Sequence, residues 1–159
     1  NEQSLIITAL DGADNSVTGG ATISIANLTR GMQYLEDNSY RATTLAVGPE
    51  VLNDLRNLDT FTEADKFGSN EMLSRGGVGK IFGMDVVFMD PNAAPRSAAT
   101  QSLRAYVFDR NHAFVLAEKR PVTMESYDDR VHDLSGVVIT QRLAVAELRG
   151  TAVALLTTT

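Results

Sequence analysis

From Val137 to Leu148 the sequence reads Val-Val-Ile-Thr-Gln-Arg-Leu-Ala-Val-Ala-Glu-Leu, without a Gly or a Pro. As a single strand this segment would be about 40 Å long, which exceeds the usual length of a strand. Gln141 to Leu148 consists of good helix formers, so periodicity alone does not decide between helix and strand. The β-branched residues 137–139, together with a second strand-like run from Ala152 to Leu156 beyond Gly150, favour a long strand.

Two helices are predicted earlier in the chain from their start signals and apolar spacing. Ser24 is a suitable N-cap, and the apolar spacing that follows predicts a helix from about 25 to 37, closed by Asn38. Pro49 fits the first turn of a second, shorter helix, because its fixed φ suits that position and no amide is needed there. The residues expected to form the apolar faces are Met32 and Leu35 in the first helix and Val51, Leu52 and Leu55 in the second.

Shorter apolar runs predict the remaining elements. The run from Leu5 to Leu10 predicts a strand, followed by a flexible connection through Gly20. Further predicted strands or short apolar elements are Leu45–Val47, which stops at Gly48, Ile81–Phe82 and Val86–Met89, joined at Gly83, Arg104–Phe108 and Phe114–Leu116. Helices and strands mix without regular βαβ alternation, so the predicted fold class is α+β.

Composition limits the classes of protein that fit. The chain has 159 residues, of which 43% are apolar, no cysteine and a net charge of −6. This length corresponds to about one ordinary domain. The lack of cysteine excludes disulfide scaffolds, thiolate zinc sites and cysteine nucleophiles. The acidity argues against nucleic-acid binding by phosphate neutralisation, and no apolar run approaches the roughly 20 residues of a membrane span.

Two nucleotide-binding or catalytic motifs are only partly matched. Gly76–Lys80 is similar to a phosphate loop, but Ile81 stands where the motif needs Ser or Thr, so a turn into a strand is the better interpretation. Ser135 is followed by Gly136 and lacks the first half of the G-x-S-x-G motif. From Asn57 to Arg75 regular periodicity is lost, which predicts an interaction loop.

Two groups of residues in the sequence are candidates for a metal site. His112 and His132 are far apart in sequence and have no cysteine partners, so we expect solvated or capping histidines rather than zinc ligands. Four carboxylates lie close in sequence: Glu125, Asp128, Asp129 and Asp133. This group lacks the spacing and turn glycine of a calcium loop and contains Arg130, which favours a solvated loop or an inter-subunit ion-pair site. We therefore predict no catalytic, cofactor-binding or metal-binding residues.

Three segments, in this order, resemble the major capsid proteins of tailed bacteriophages. Ala42–Glu50 resembles the family's passage from an apolar strand through Gly-Pro into a short helix. Gly79–Val87 is similar to its I-x-G-x-P-V-V passage, with Asp85 where Pro is common. Thr140–Val153 is similar to its closing strands, with Gly150 in place of Pro. The resemblance covers roughly residues 24 to 157.

The resemblance implies the capsid fold named after phage Hong Kong ninety-seven, which encapsulin shells share. By this resemblance, residues 24–120 would form the axial domain, which makes the ring contacts. Residues 1–23 and 121–159 would form part of the peripheral domain, with long C-terminal strands. The family's N-terminal arm, extended loop and spine helix would lie upstream of Asn1, so the chain is expected to be the C-terminal portion of a longer subunit.

The resemblance also implies a function. The chain would be a viral structural protein and not an enzyme, and it would assemble with itself into pentamers and hexamers of an icosahedral shell enclosing double-stranded DNA. It would need no cofactor or metal, touch packaged DNA only weakly, and have scaffolding and portal proteins as further candidate partners. It would not interact with a membrane, and it would be located in the virion, and in the host cytoplasm during assembly.

Two alternatives stay open from the sequence. One is an encapsulin-like shell that holds cargo enzymes, and the other is an unrelated α+β metal-dependent hydrolase using Asp128 and Asp129. Some relatives crosslink their subunits through a Lys and an Asn. The matching positions here are Asp133 and Thr140, so we predict no self-crosslinking through this strand.

Overall fold

The computed structural model describes residues 2–58, 79–93, 100, 103–129 and 131–158. The helices of this part of the chain are α1 (Glu2–Leu10), α2 (Ile25–Asp37) and α3 (Pro49–Asn57), with short 3₁₀ turns at Pro91–Ala93 and Gly150–Ala152. The strands are β1 (Asn15–Thr18), β2 (Thr44–Val47), β3 (Lys80–Ile81), β4 (Met84–Phe88), β5 (Arg104–Phe108), β6 (Phe114–Asp129), β7 (Leu134–Glu147) and β8 (Val153–Thr157).

Six of the strands form one mixed sheet in the order β1-β8-β5-β2-β4-β3. The pairs β1–β8 and β2–β4 are parallel, whereas β8–β5, β5–β2 and β4–β3 are antiparallel. The central strand β5 therefore receives hydrogen bonds from β2 on one side and from the C-terminal β8 on the other. The predicted α+β class is confirmed.

Alternate residues of β5 divide the core between the two faces of this sheet. Ala105 and Val107 lie in a cluster with Leu28 of α2 and Val51 of α3. Tyr106 and Phe108 point to the opposite face, where the cluster includes two residues of α1. Because side chains alternate along a strand, one five-residue strand serves both cores.

The predicted helix at 25–37 is confirmed. Ser24 Oγ accepts a hydrogen bond from the Asn27 amide at 3.3 Å, and Asn38 closes the helix. Leu35 is fully buried and Met32 is partly buried against the same core. A local cap and an apolar stripe were thus sufficient signals for this helix.

The passage from β2 into α3 is also confirmed. All four residues of β2 are buried, the strand ends before Gly48, and Pro49 occupies the first turn of α3. Val51 and Leu55 are fully buried, and Leu52 is partly buried beside them. The turn between β3 and β4 contains Gly83 at a φ of 81°, a conformation that favours glycine.

The predicted strand from Leu5 to Leu10 is wrong, because this segment lies in α1. Ile7 and Leu10, three residues apart, are the side chains that the helix buries against the sheet. In a short run of apolar residues no polar positions mark an exposed face, so the sequence has no periodicity that would distinguish a buried strand from a helix. The flexible connection is wrong in part, since Asn15–Thr18 forms β1 and pairs with β8.

The last two long strands form a separate antiparallel hairpin, β6–β7. The predicted long strand is confirmed as β7, which starts at Leu134 and has 14 residues, and the predicted strand at 152–156 is confirmed as β8. The short element predicted at Phe114–Leu116 is wrong in extent, because it is the start of a strand of 16 residues. Pro121 is accommodated at a register shift between Arg120 and Thr123, where no ladder hydrogen bond is required.

Two sequence-based predictions remain open. The predicted interaction loop extends from Asn57, the last residue of α3, into a segment that lies outside the described residues. The predicted domain boundary between residues 120 and 121 falls within β6, and both β1 and β8 pair into the six-stranded sheet. The assignment of axial and peripheral regions stays a prediction.

Candidate interaction surfaces

The β6–β7 hairpin exposes apolar side chains to an unusual degree. Met124 and Ile139 are 69% and 60% exposed, although both are large and apolar. Contiguous exposed apolar surface of this kind marks interaction sites. A two-stranded ribbon also has marginal stability by itself. We therefore treat the hairpin as the first candidate interaction surface.

The strand register assigns each side chain of the hairpin to one of two faces. Both register shifts insert an extra residue into β6, so alternation along β7 is unbroken. One face, here called the apolar face, carries Leu116, Met124, Val137, Ile139, Leu143 and Val145. The other, here called the arginine face, carries Arg120, Thr123, Glu125, Val138, Thr140 and Arg142.

Side-chain contacts agree with this assignment. On the arginine face the hydroxyl oxygens of Thr123 and Thr140 are 2.7 Å apart. On the apolar face Gln141 Nε2 donates to Glu118 Oε1 at 3.2 Å. Nearer the tip, the Tyr127 ring lies over Gly136, whose missing side chain leaves room for it. These contacts hold the two strands in one register.

A carboxylate organises the turn that joins the two sheets. Asp109 follows β5 and is buried, and its carboxylate accepts from the Asn111 amide at 3.0 Å. His112 Nδ1 lies 2.8 Å from Asp109 Oδ2, and the His112 ring packs against Tyr40. Burial disfavours the charged carboxylate, but the Asn111, His112 and Arg41 hydrogen bonds outweigh it and hold the pKa of Asp109 below its ordinary value.

A second carboxylate fastens α1 to the sheet. Asp11 Oδ1 accepts hydrogen bonds from Arg104 Nη1 at 2.8 Å and from the Tyr106 hydroxyl at 2.6 Å. The side chains of Arg104 and Asp11 are only 14% and 13% exposed. Because both partners belong to β5, this network fixes the end of α1 over the centre of the sheet.

An open apolar groove of about 300 Å³ lies between α1 and the sheet. Its walls include Ile6 and Ile7 of α1 and Val87 and Phe88 of β4. Val87 and Phe88 are half exposed. Its described lining is mainly apolar, with Asp85 and Arg110 as the ionisable members, so its chemistry suits contact with a mainly apolar surface.

The structure does not bring the predicted candidate site residues together. His112 lies at the turn between the sheets and His132 in the tip of the hairpin. The acidic group divides, because Glu125 lies on the arginine face and Asp128 pairs with Ser135 on the opposite one. Of the described residues, no group of three or more His, Asp or Glu could hold a metal ion.

The remaining residues of these motifs lie in turns, on exposed strands or outside the described residues. Asp133 lies in the tight turn at a φ of 50°. Gly76–Val78 and Arg130, as well as the Asp129 side chain, lie outside the described residues. Lys80 lies in β3 and forms an exposed ion pair with Asp85 at 3.2 Å. Within the described residues, no helix is long and apolar enough to cross a membrane.

Sequence reasoning missed two groupings of side chains. The Asp11 network joins residues about 90 positions apart, and no local pattern connects them. Arg120 and Arg142 are directly opposite each other in the hairpin, which follows only from the strand register. Arg142 lies within the strand that the sequence predicts, but Arg120 stands between Lys119 and Pro121 outside the predicted elements, so no local signal pairs the two arginines.

Comparisons with known proteins agree with the fold. The capsid of bacteriophage PhiM1 matches with a TM-score of 0.75 and 16% identity, over 99% of this chain and 60% of that one. The capsid structure of cyanophage P-SCSP1u matches with a TM-score of 0.68 and 18% identity, over 99% and 60%. The holo-SrpI encapsulin complex from Synechococcus elongatus is more distant, with a TM-score of 0.54 and 11% identity, over 90% and 52%.

These likenesses concern the fold, and the chain spans 60% of the length of the two phage capsid chains. A comparison with curated proteins finds no match. A family profile described as "Phage capsid protein" matches residues 1–154. Since this profile covers nearly the whole chain and the fold agrees with it, the chain belongs to the phage capsid protein family and has the Hong Kong ninety-seven-type fold.

Proposed function

We propose that this chain is the major capsid subunit of a tailed phage or provirus, which assembles with copies of itself into an icosahedral shell around double-stranded DNA. The observation that carries the proposal is the β6–β7 hairpin of a phage capsid family chain, with large apolar side chains exposed along its length. Closed shells require repeated contacts between identical subunits. An exposed ribbon that needs a partner suits this role.

The proposal includes where the subunit acts and what it contacts. Copies of the chain are its main partners, in pentamers and hexamers, and its place is the virion and, during assembly, the host cytoplasm. Scaffolding and portal proteins are further proposed partners. Contact with packaged DNA is proposed to be weak, because the chain has a net charge of −6. It is proposed to catalyse nothing and to bind no cofactor or metal.

The proposed division of labour keeps the ring contacts in residues 24–120. Residues 121–159 with 1–23 are proposed as part of the peripheral region. Val87 and Phe88, which form one wall of the groove, lie in the first part and support a role in ring contacts, whereas the opposite wall is formed by α1 of the second part. The long exposed strands support a peripheral role for the C-terminal part.

Expression of the gene product that contains this chain tests the proposal. Electron microscopy and sedimentation velocity should show closed shells or rings of five and six subunits. A monomer at all protein concentrations up to the millimolar range would contradict the proposal. Denaturing gels of the particles should show single subunits, because Asp133 and Thr140 occupy the crosslinking positions, and a covalent ladder through this strand would refute that expectation.

An encapsulin-like shell is the second candidate, supported by the fold likeness to the holo-SrpI encapsulin complex. The contents of purified particles separate the two functions, since a capsid would contain nucleic acid and an encapsulin-like shell would contain cargo protein. The hydrolase alternative, which used Asp128 and Asp129, finds no support among the described residues, because the register places Glu125 and Asp128 on opposite faces of the hairpin and the Asp129 side chain lies outside those residues.

A further inference from the structure

We propose that the arginine face of the β6–β7 hairpin is a self-complementary contact between two copies of this chain. In this contact Arg120 and Arg142 of one copy face Glu125 of the other, and the reverse, about a two-fold axis that passes close to Thr123 and Thr140. The proposal rests on the proposed function in that it names one contact of the assembling subunit.

The arginine face carries a pair of cations whose charges are not compensated. Arg120 and Arg142 are directly opposite each other in the register, and both are exposed. Like charges directly opposite in a sheet are destabilising. Among the described residues neither guanidinium has an ion-pair or hydrogen-bond partner. The hairpin therefore presents two arginine side chains that an anion from outside would stabilise.

Two bulges in the backbone of β6 place Arg120 opposite Arg142. The two extra residues of β6 fall on either side of Arg120, one between it and Glu118 and one between it and Thr123. Bulges of this kind re-aim side chains and are found where a strand has a specific role. Without them, Arg120 would not pair with Arg142, and the cations would be spread over both faces.

An acidic residue, Glu125, lies on the same face as the two arginines. Arg142, Thr140 and Val138 follow each other on this face of β7, and Glu125 is directly opposite Val138. Two such steps along a strand measure about 13 Å. The threonine pair lies midway between the arginine pair and Glu125. A two-fold rotation about that midpoint exchanges the cations with the carboxylate.

The side chains at the proposed axis are short enough for two such faces to approach each other closely. The midpoint is occupied by Thr123 and Thr140, which are short and bonded to each other. Nothing bulky therefore separates two facing hairpins at the proposed axis. The long arginine side chains can then reach across to the glutamate of the second copy, where hydrogen bonds between charged groups are stronger than neutral ones.

A second copy suits this face better than DNA does. Glu125 lies on the same face and would repel phosphate, and the chain as a whole has a net charge of −6. A single pair of arginines among acidic neighbours is also far from the basic stripe of a nucleic-acid surface. Charge complementarity within one face indicates that the partner is another copy of the same face.

The cysteine-free sequence allows a direct test of the contact. A Thr140→Cys variant places one thiol near the proposed axis, and Thr29→Cys places one on the exposed side of α2, away from both faces of the hairpin, as a matched control. Under mild oxidation, Thr140→Cys should form disulfide-linked dimers at least tenfold faster than Thr29→Cys. Equal rates for the two variants would overturn the proposal.

Charge substitutions in the Thr140→Cys background complete the test. Arg120→Glu with Arg142→Glu should lower dimer formation to the Thr29→Cys level, and adding Glu125→Arg should restore it, because the charges are then exchanged. If the rate of dimer formation does not change with these charge substitutions, the proposal is overturned. So does unchanged dimer formation with less nucleic acid in the particles, which would assign the arginines to DNA.

The same samples separate this proposal from the proposed function. Sedimentation velocity and electron microscopy report on shells, whereas the disulfide reports on one contact. Shells without the Thr140→Cys dimer overturn the contact alone. The charge-dependent dimer without shells or rings supports the contact and contradicts the proposed function, and the absence of both overturns both.

Discussion

The Asp11 carboxylate accepts hydrogen bonds from two donors of β5, so its loss has a large expected effect. Asp11→Ala leaves the Arg104 guanidinium and the Tyr106 hydroxyl without this acceptor in a mostly buried site. Breaking a largely buried ion pair from one side is strongly destabilising. We expect the free energy of unfolding, measured in urea, to fall by roughly 2–4 kcal/mol.

Two variants control this prediction. Tyr106→Phe removes the hydroxyl that donates to Asp11 and leaves the Arg104 ion pair in place, so it should cost about 1 kcal/mol. Asp37→Ala removes an exposed carboxylate at the end of α2 and should change stability by less than about 0.5 kcal/mol. If Asp11→Ala is no more destabilising than Asp37→Ala, the network does not fasten α1 to the sheet.

Asp109 should make the stability of the protein depend on acid pH. Its pKa is lowered in the folded state, so its contribution is present above the ordinary pKa of Asp and is lost as pH falls through the folded value. Asp109→Asn should therefore be less stable than the wild type by about 1–3 kcal/mol at pH 7. The difference should begin to shrink below about pH 4, where the carboxyl of the unfolded chain takes up a proton, and should be lost only at lower pH, where the folded carboxyl does so as well.

Urea unfolding at a series of pH values between 3 and 8 measures this difference. A gap between wild type and Asp109→Asn that stays constant over the whole range would show that the charge of Asp109 contributes nothing. Asp90, a half-buried carboxylate that follows β4 and accepts a hydrogen bond from the Asn92 amide but has no histidine beside it, provides the matched Asp→Asn control. Asp90→Asn should follow the wild-type pH profile.

The packing of α2 on the sheet depends on a glycine within the helix. A β-carbon at Gly31 would lie 3.2 Å from Leu156 Cδ2 and 3.5 Å from Val107 Cγ2. Glycine inside a helix costs about 1 kcal/mol relative to alanine, so its presence indicates a close approach between the helix and the sheet. Gly31→Leu should overpack this contact and destabilise the fold by roughly 1–3 kcal/mol in urea unfolding.

The neighbouring exposed residue Arg30 serves as the control for this packing prediction. Arg30→Leu introduces the same side chain on the solvent side of α2 and should change stability by less than about 0.5 kcal/mol. A similar loss in both variants would mean that leucine harms the helix itself. The distance from the sheet would then be irrelevant.

The elements that the sequence predicted correctly have strong local signals. The Ser24 cap and Pro49 mark two helix starts within a few residues, and Gly83 marks the turn between two apolar runs. The run from Leu5 to Leu10 lacked such a signal, and its helical state depends on packing against a distant strand. Tertiary contacts therefore decided the element that was predicted wrongly.

The candidate surfaces were less accessible to sequence reasoning than the helices. The long strand at 134–147 was recognisable because β-branched residues and an uninterrupted run favour it. Its partner β6 was hidden, since Pro121 and the two register shifts disrupt regular alternation. Without β6 there is no register, so neither the opposition of Arg120 and Arg142 nor the division of the acidic residues could be derived.

In the part of the chain that the structure describes, a sheet with a buried core on both faces is joined to a hairpin that contacts α1 at its base and exposes large apolar side chains along the rest of its length. The six-stranded sheet packs its helices through two clusters, which supply most of the buried apolar residues. The hairpin shares no strand with that sheet and is connected to it through the turns at Asp109 and Leu148. Folding stability and self-association are therefore expected to depend on different residues.

This separation predicts that charges on the apolar face weaken association and leave folding intact. Leu116→Lys with Ile139→Lys places two cations on side chains that are about 60% exposed in the single chain. Because they contribute little to the folded core, the urea midpoint should shift by no more than the effect of an ordinary surface substitution, about 0.5 kcal/mol. Sedimentation velocity should show a shift from assemblies toward monomers, because burying an unpaired charge in an interface is costly.

Leu45→Ala is the reciprocal variant, since Leu45 is fully buried between the helices and the sheet. It should lower the free energy of unfolding by about 2–5 kcal/mol. The protein that remains folded should assemble as the wild type does. If Leu116→Lys with Ile139→Lys instead unfolds the chain, the hairpin is part of the folding core. If that variant assembles normally, the apolar face is not an assembly surface, and the contacts between subunits must lie elsewhere, first of all at the groove beside Phe88.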